Sequence, residues 1–179
     1  MLELHVDAVE QYNEETNEFY YINSQTLKME HSLVSVSKWE SKWHKPFLTN
    51  DEKTTEEIFD YIRCMTINTV DPIVYNCLSA QNITDIQEYI DNPMTATTIH
   101  ENNVKRNPEI VTSELIYYWM VALNIPFECE KWHLNRLLTL IRICNIKNQP
   151  DKKMSRQETI EQNRILNAAR RKQFRAKGR

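Results

Sequence analysis

Glycine is nearly missing: the 179-residue chain has one, Gly178, second from the end. That scarcity excludes the Gly-x-Gly-x-x-Gly turn, the Walker A loop and the nucleophile elbow. Each of them needs glycine to bring backbone close to a ligand or through a strained turn. Long apolar runs are also missing. None approaches 18 residues, so no transmembrane helix is expected. The opening residues, Met1 to His5, lack the basic and apolar stretches of a signal peptide. Cysteine is sparse and dispersed: Cys64, Cys77, Cys129 and Cys144 form no Cys-x-x-Cys pair. Reduced, buried thiols in a reducing cytoplasm are the expectation.

The charge that is present is unevenly spread. The formal net charge is −3. Residues 151–179 hold ten Lys or Arg against three Asp or Glu, and residues 1–150 hold twelve against twenty-two. From Arg164 to the end there are seven basic residues and no acidic one. The one clear composition boundary lies near Pro150. It divides the chain into an N-terminal sheet region (1–30), a helical body (31–150, one domain with the sheet) and a basic C-terminal helix (151–179).

Periodicity predicts an α+β, mainly α fold. Leu2, Leu4 and Val6 alternate with Glu3, His5 and Asp7, as in a half-buried strand. Residues 18–22 and 26–30 read as two more strands of an antiparallel β-meander, with Asn17 able to take a positive φ in place of glycine. Helical spacing then runs from Leu33 through Val36 and Trp39 to Trp43, up to Pro46. Thr54 and Glu57 form a capping box that opens a helix through Met65. Asp71-Pro72 can open a short helix. Thr84 and Gln87 are candidate caps for another, ending by Pro93, and 91–107 reads as a polar loop. Thr112 or Ser113 starts the most apolar helix, 114–123. Pro126 heads a helix expected to reach Ile146, with Leu134, Leu137, Leu138, Ile141 and Cys144 in one stripe. Ser155 to Glu158 is a second capping box, for a helix carrying Ile160, Ile165 and Ala168. The expected core packs helices 54–66, 112–124 and 127–146 under the meander.

Candidate chemistry is thin. Cys129 and His133 stand one helical turn apart, where a metal could bridge them, but zinc needs two more ligands and none is paired nearby. Glu56 and Glu57 are adjacent and do not face each other on a helix. No metal, cofactor or catalytic residue is therefore assigned, and no enzymatic activity is expected. Trp39 and Trp43 share a helix face, flanked by Lys42 and Lys45. Such a set serves a single-stranded nucleic-acid platform, a protein-binding hot spot or a core anchor. The acidic body opposes the nucleic-acid reading. The basic run with Arg170, Arg171, Lys172 and Arg175 suits phosphate contact, an acidic protein partner (another copy of the chain included) or a solvated end. Tyr117, Tyr118, Trp119 and Met120 concentrate more apolar and aromatic surface than one helix face can bury. Trp39, Trp43, Tyr117, Tyr118, Arg170, Arg171, Lys172 and Arg175 are thus the candidate partner-binding residues.

Several strings together carry a resemblance: His31 through Leu48, Asp60 through Thr66, Pro93 through Thr98, Thr112 through Met120, Lys131 through Ile141, and Leu166 through Arg171. They resemble a family of small proteins of tailed bacteriophages, the tail assembly chaperones. The resemblance implies a non-enzymatic protein acting in the host cytoplasm. It would bind the phage tape-measure protein, keep its apolar helices soluble and help recruit tail-tube subunits, with self-association of the chaperone as a further expectation. A structural virion component and a nucleic-acid binder acting through the basic tail are the alternatives. The resemblance assigns no residue a role.

Overall fold

The computed structural model describes residues 1–13, 17–99, 109–148, 160–161 and 163–167. It shows the expected α+β, mainly α class, with antiparallel strands preceding helices.

The strands differ in number and pairing from the expected meander. There are four: β1 (Leu2–Val6), β2 (Val9–Asn13), β3 (Glu18–Ile22) and β4 (Gln25–Met29). β1 pairs with β4 and β2 with β3, both antiparallel. The register runs on without a slip from Leu2↔Met29 and Val6↔Gln25 to Val9↔Ile22 and Asn13↔Glu18. The arrangement is therefore one long hairpin with a two-residue break in each arm, not three strands side by side. Polar Glu10 and Gln11 hide β2 from an alternation test, and facing breaks at Asp7-Ala8 and Asn23-Ser24 divide both arms. Asn17 near the turn does take φ 57°, and its side chain accepts a hydrogen bond from the Tyr12 hydroxyl.

Leu4, Val6, Leu27 and Met29 face the core. The outer edge of β4 is closed by the chain that follows the second helix. Ile67 N–H donates to the Lys28 carbonyl at 2.8 Å. The Asn68 side chain accepts from Lys28 N–H and donates to the Thr26 carbonyl, both at 2.8 Å. An edge with its donors and acceptors taken no longer recruits other strands.

The helices are α1 (Leu33–Trp43), α2 (Thr55–Met65), α3 (Ala80–Asp91), α4 (Ser113–Ala122) and α5 (Leu134–Asn148), with 3₁₀ helices at Pro72–Cys77 and Phe127–Lys131. α1 begins at the Ser32 cap, which exchanges hydrogen bonds with Ser35, and ends at His44 in the left-handed region, φ 53°. The Thr54–Glu57 capping box forms as expected, with Thr54 N–H donating to Glu57 Oε2 at 2.8 Å. Thr54→Ala is expected to lower unfolding free energy by about 1 kcal/mol, read as a shift of the urea midpoint at constant slope. Asp71 caps the first 3₁₀ helix, with Pro72 at its start.

Two helix boundaries correct the sequence reading. α3 is capped by Ser79 with Asn82, not by Thr84 and Gln87. Thr84 lies inside the helix, its hydroxyl donating to the Ala80 carbonyl at 3.0 Å. The long helix after Pro126 is split at Trp132-His133. There His133 pairs with Ser32 as a β-bridge, and Leu134 N–H donates to the His31 carbonyl at 2.7 Å. A long-range backbone contact outweighs the helical preference of the local sequence.

The core is one contiguous cluster that includes Leu27, Met29, Leu33, Val36, Trp39, Ile62, Met65, Ile116, Met120, Leu134 and Leu137. α1 is its hub, packed on α2 and α4; the expected three-helix packing had left this helix out. Two compact units are present, Met1–Ile146 and Lys147–Arg179. In the second, residues 160–161 and 163–167 are helical. The Ser155 capping box and Ala168 lie outside the described residues.

Candidate interaction surface

The tryptophan string is structural. Trp39 is 1% exposed, and its indole N–H donates to the Glu57 carbonyl at 2.9 Å. Trp43 is half-buried and donates to Asp60 Oδ2 at 2.9 Å. The two rings stack at 6.2 Å. Glu57 and Asp60 are buried carboxylates, paired respectively with Lys45, at 2.6 Å, and with Lys42. The Lys45 hydrogen bond and the Thr54 backbone hold the Glu57 carboxyl below its usual range. Burial pushes Asp60 up, but hydrogen bonds from Lys42 and Trp43 outweigh it, and the net shift is downward. Lys42 and Lys45 are thus committed to α2. Trp39 and Trp43 anchor α1 to α2, and Trp39 is removed from the candidate contact residues because no partner can reach it.

The Cys129–His133 pair is drawn inside rather than toward a metal. Both residues are 5% exposed. The His133 Nε2–H donates to the Tyr89 carbonyl at 2.9 Å, and its Nδ1 has no hydrogen-bond partner. His31 lies against it, ring centroids 5.0 Å apart, and His31 Nδ1 shares a 2.5 Å hydrogen bond with the Tyr61 hydroxyl. Burial, then the neighbouring His133, lowers the His31 pKa to about 4, while Asp91 acts weakly the other way. Burial also lowers that of His133, against the opposing pull of the Tyr89 carbonyl and Glu30. Among the described residues, no group of three or more His, Cys, Asp or Glu side chains is placed to hold a metal ion. Burial pushes both the Cys64 and the Cys129 thiol up, with Asp60 and Glu128 adding to it, so neither is an activated nucleophile.

One exposed apolar surface is the outward face of α4. Its first turn is held by the buried Glu40 of α1, whose Oε2 accepts from Ser113 N–H at 2.7 Å. Negative charge at a helix N-terminus is stabilising, and it fixes which way α4 is rotated. Ser113, Ile116 and Met120 then point into the core. Tyr118, Val121 and Ala122 point out, at i, i+3 and i+4, with Tyr118 66% and Val121 59% exposed. Phe127, 56% exposed, lies beside Tyr117, ring centroids 6.5 Å apart. Tyr117 itself is half-buried, and its hydroxyl donates to Glu130 at 2.9 Å. Burial and that carboxylate push its pKa up to about 12. On the other flank of α4 a groove of about 480 Å³ runs along α5, floored by Trp119, Leu138 and Ile141. A second exposed aromatic group, Tyr12, Phe19 and Tyr21, lies on one face of the β2–β3 ribbon, with Tyr12 and Phe19 rings 4.9 Å apart.

Of the candidate contact residues that are described, then, Tyr118 is exposed, Tyr117 and Trp43 are half-buried, and Trp39 is buried. Arg170, Arg171, Lys172 and Arg175 lie outside the described residues. Val121, Phe127 and the hairpin aromatics were missed. An all-apolar helix does not reveal which face will be left out, and β2 did not read as a strand. No helix among the described residues is long and apolar enough to cross a membrane. No protein-family model, no curated protein and no solved structure matches the chain.

Proposed function

We propose that the chain is a non-enzymatic phage assembly protein of the tail assembly chaperone type. In this reading it acts in the host cytoplasm and binds the tape-measure protein during tail morphogenesis. The observation that carries it is the outward face of α4: Tyr118 and Val121 are exposed there one helical turn apart, on the same helix as Trp119, which lines a groove with Leu138. Exposed apolar side chains and a groove of this kind suit the apolar stripe of a partner helix. The string from Thr112 through Met120, among those that resemble the chaperone family, supplies Tyr118. Thiols raised by burial and glycine-poor turns both favour binding over catalysis.

The test is co-expression with the tape-measure protein encoded by the same phage. The wild-type chain is expected to hold it soluble and co-purify with it, while Tyr118→Asp with Val121→Asp lowers recovery by about tenfold or more. Failure of the wild-type chain to recover any tape-measure protein sinks the proposal. Finding the chain in purified virions as a stoichiometric component would favour the structural rival instead.

A further inference from the structure

A cavity of about 300 Å³ lies away from α4, at the small end of the ~300–1,000 Å³ range of ligand cavities. α1 contributes Val34 and Lys38, which share a helix face at i, i+4. The end of α2 contributes Cys64 and Met65, the chain beyond it Ile67, and the second 3₁₀ helix Lys131. Val34, Met65 and Ile67 form an apolar wall. Ile67 is 63% exposed, and its backbone N–H, bound to the Lys28 carbonyl, fixes it in place at this rim. The cavity shares no residue with α4 or with the groove along α5.

The charges at this cavity are unequally matched. Two carboxylates line it, Glu30 and Glu130, and two ammonium groups, Lys38 and Lys131. Glu30 pairs with the Met1 amino group at 2.9 Å and accepts from the Tyr89 hydroxyl. Glu130 accepts from the Tyr117 hydroxyl at 2.9 Å. Neither lysine is ion-paired among the described residues. With Glu30 balanced by the amino group, two ammonium groups stand against one carboxylate. Burial and Asp60 push the Cys64 thiol up, while Lys38 and Lys42 draw it back. The field of Lys38 therefore reaches the cavity wall. Both lysines are exposed, so they stand where the cavity meets solvent. An apolar wall ending at unpaired cations complements an apolar chain ending in an anion.

We propose that this cavity binds a small amphipathic monocarboxylate, its apolar chain against Val34, Met65 and Ile67 and its carboxylate at Lys38 and Lys131. The inference goes beyond tape-measure binding and rests on other residues. Burial of the chain supplies the non-directional part of the affinity. The two ammonium groups select an anion over a cation of the same shape. Because α1, α2 and the second 3₁₀ helix all contribute to the walls, an occupant also stabilises the folded chain.

Sodium octanoate is the probe, titrated into the purified full-length chain by isothermal calorimetry, with octylamine and acetate beside it. Octanoate is expected to saturate a single site with a Kd on the order of 0.1 mM. Octylamine carries the opposite charge and acetate has no chain, and both are expected to bind about tenfold or more weakly. Lys38→Gln with Lys131→Gln is expected to weaken octanoate binding by about tenfold or more. Both positions are exposed, so the variant should keep the wild-type far-ultraviolet circular dichroism. Octanoate is also expected to slow alkylation of Cys64 severalfold, read by peptide mass spectrometry. Cys77 and Cys144, which do not line the cavity, are the internal references. Absence of a saturable octanoate site overturns the proposal. So does octylamine or acetate binding as tightly, a Kd unmoved by the lysine substitutions, or a Cys64 rate that octanoate leaves unchanged. None of these outcomes bears on tape-measure recovery, so the two readings fail separately.

Discussion

Trp39→Ala is expected to lower unfolding free energy by about 4 kcal/mol, a large share of the roughly 5–15 kcal/mol that stabilises a domain. Trp39 is 1% exposed at the centre of the α1–α2 contact. It stacks on Trp43 and meets the Phe47 ring edge-on at 5.2 Å. Truncation leaves a cavity that two aromatic neighbours and two ion-paired carboxylates cannot close without moving, since Glu57 and Asp60 are held by caps and lysines. It also removes the indole N–H from the Glu57 carbonyl. Trp39→Phe separates the two contributions: it keeps most of the ring and loses the hydrogen bond, worth about 1 kcal/mol. Guanidinium unfolding with an unchanged slope is the measurement. A Trp39→Ala midpoint close to wild type would mean that α1 is not the hub.

Acidification should destabilise the fold in a window set by the buried histidine pair. A histidine whose folded pKa lies below its unfolded value of about 6.5 takes up its proton in the unfolded chain first. Stability is therefore complete above about pH 6.5, falls as pH drops toward 4, and levels off once the folded state also binds the proton. For His31, with a folded value of about 4, the loss is on the order of 3 kcal/mol. His133 adds to it in the same direction. The groups facing the pair are the Tyr61 and Tyr89 side chains, Asp91, and Glu30, which pairs with the Met1 amino group at 2.9 Å and accepts from the Tyr89 hydroxyl at 2.5 Å. Asp91 opposes the shift at His31, and the Tyr89 carbonyl and Glu30 oppose it at His133, but the net shift of each ring is downward. Glu57 and Asp60, lowered in the fold, lose their contributions at still lower pH and leave the upper part of the window to the histidines. Comparing unfolding at pH 7.5 and pH 5 is the check. His31→Phe should be less stable at neutral pH yet flatter between the two. An equal slope in that variant would place the effect elsewhere.

What the residues disclose on their own follows the range of the interaction that decides each element. Thr54 with Glu57, Asp71 before Pro72 and Thr112 before α4 are local capping patterns, and they mark helix starts correctly. β2 escapes because its partners lie across a turn and its sequence is polar. The α5 start escapes because Ser32, a hundred residues upstream, pairs with His133. The same holds for the candidate surface. Tyr118 stands out by composition, but its presentation depends on Glu40 gripping Ser113 N–H and fixing the rotation of α4. Trp39 and Trp43 carry the same spacing signal whether they pack or protrude. The carboxylates and backbone of α2, some 17 residues further on, settle that they pack.

The left-handed stops have a consequence for the chain before it folds. α1 ends on His44 at φ 53°, α4 is followed by Asn124 at φ 53°, and the hairpin turns near Asn17 at φ 57°. In each place a side chain sits where glycine would be relaxed, at a local cost on the order of 1 kcal/mol. The same side chain removes backbone freedom from the denatured ensemble, and that restriction is worth a comparable amount in the opposite sense. A body without glycine therefore searches fewer conformations on its way to the native state, and the strain at its turns is offset by entropy that the unfolded chain never had.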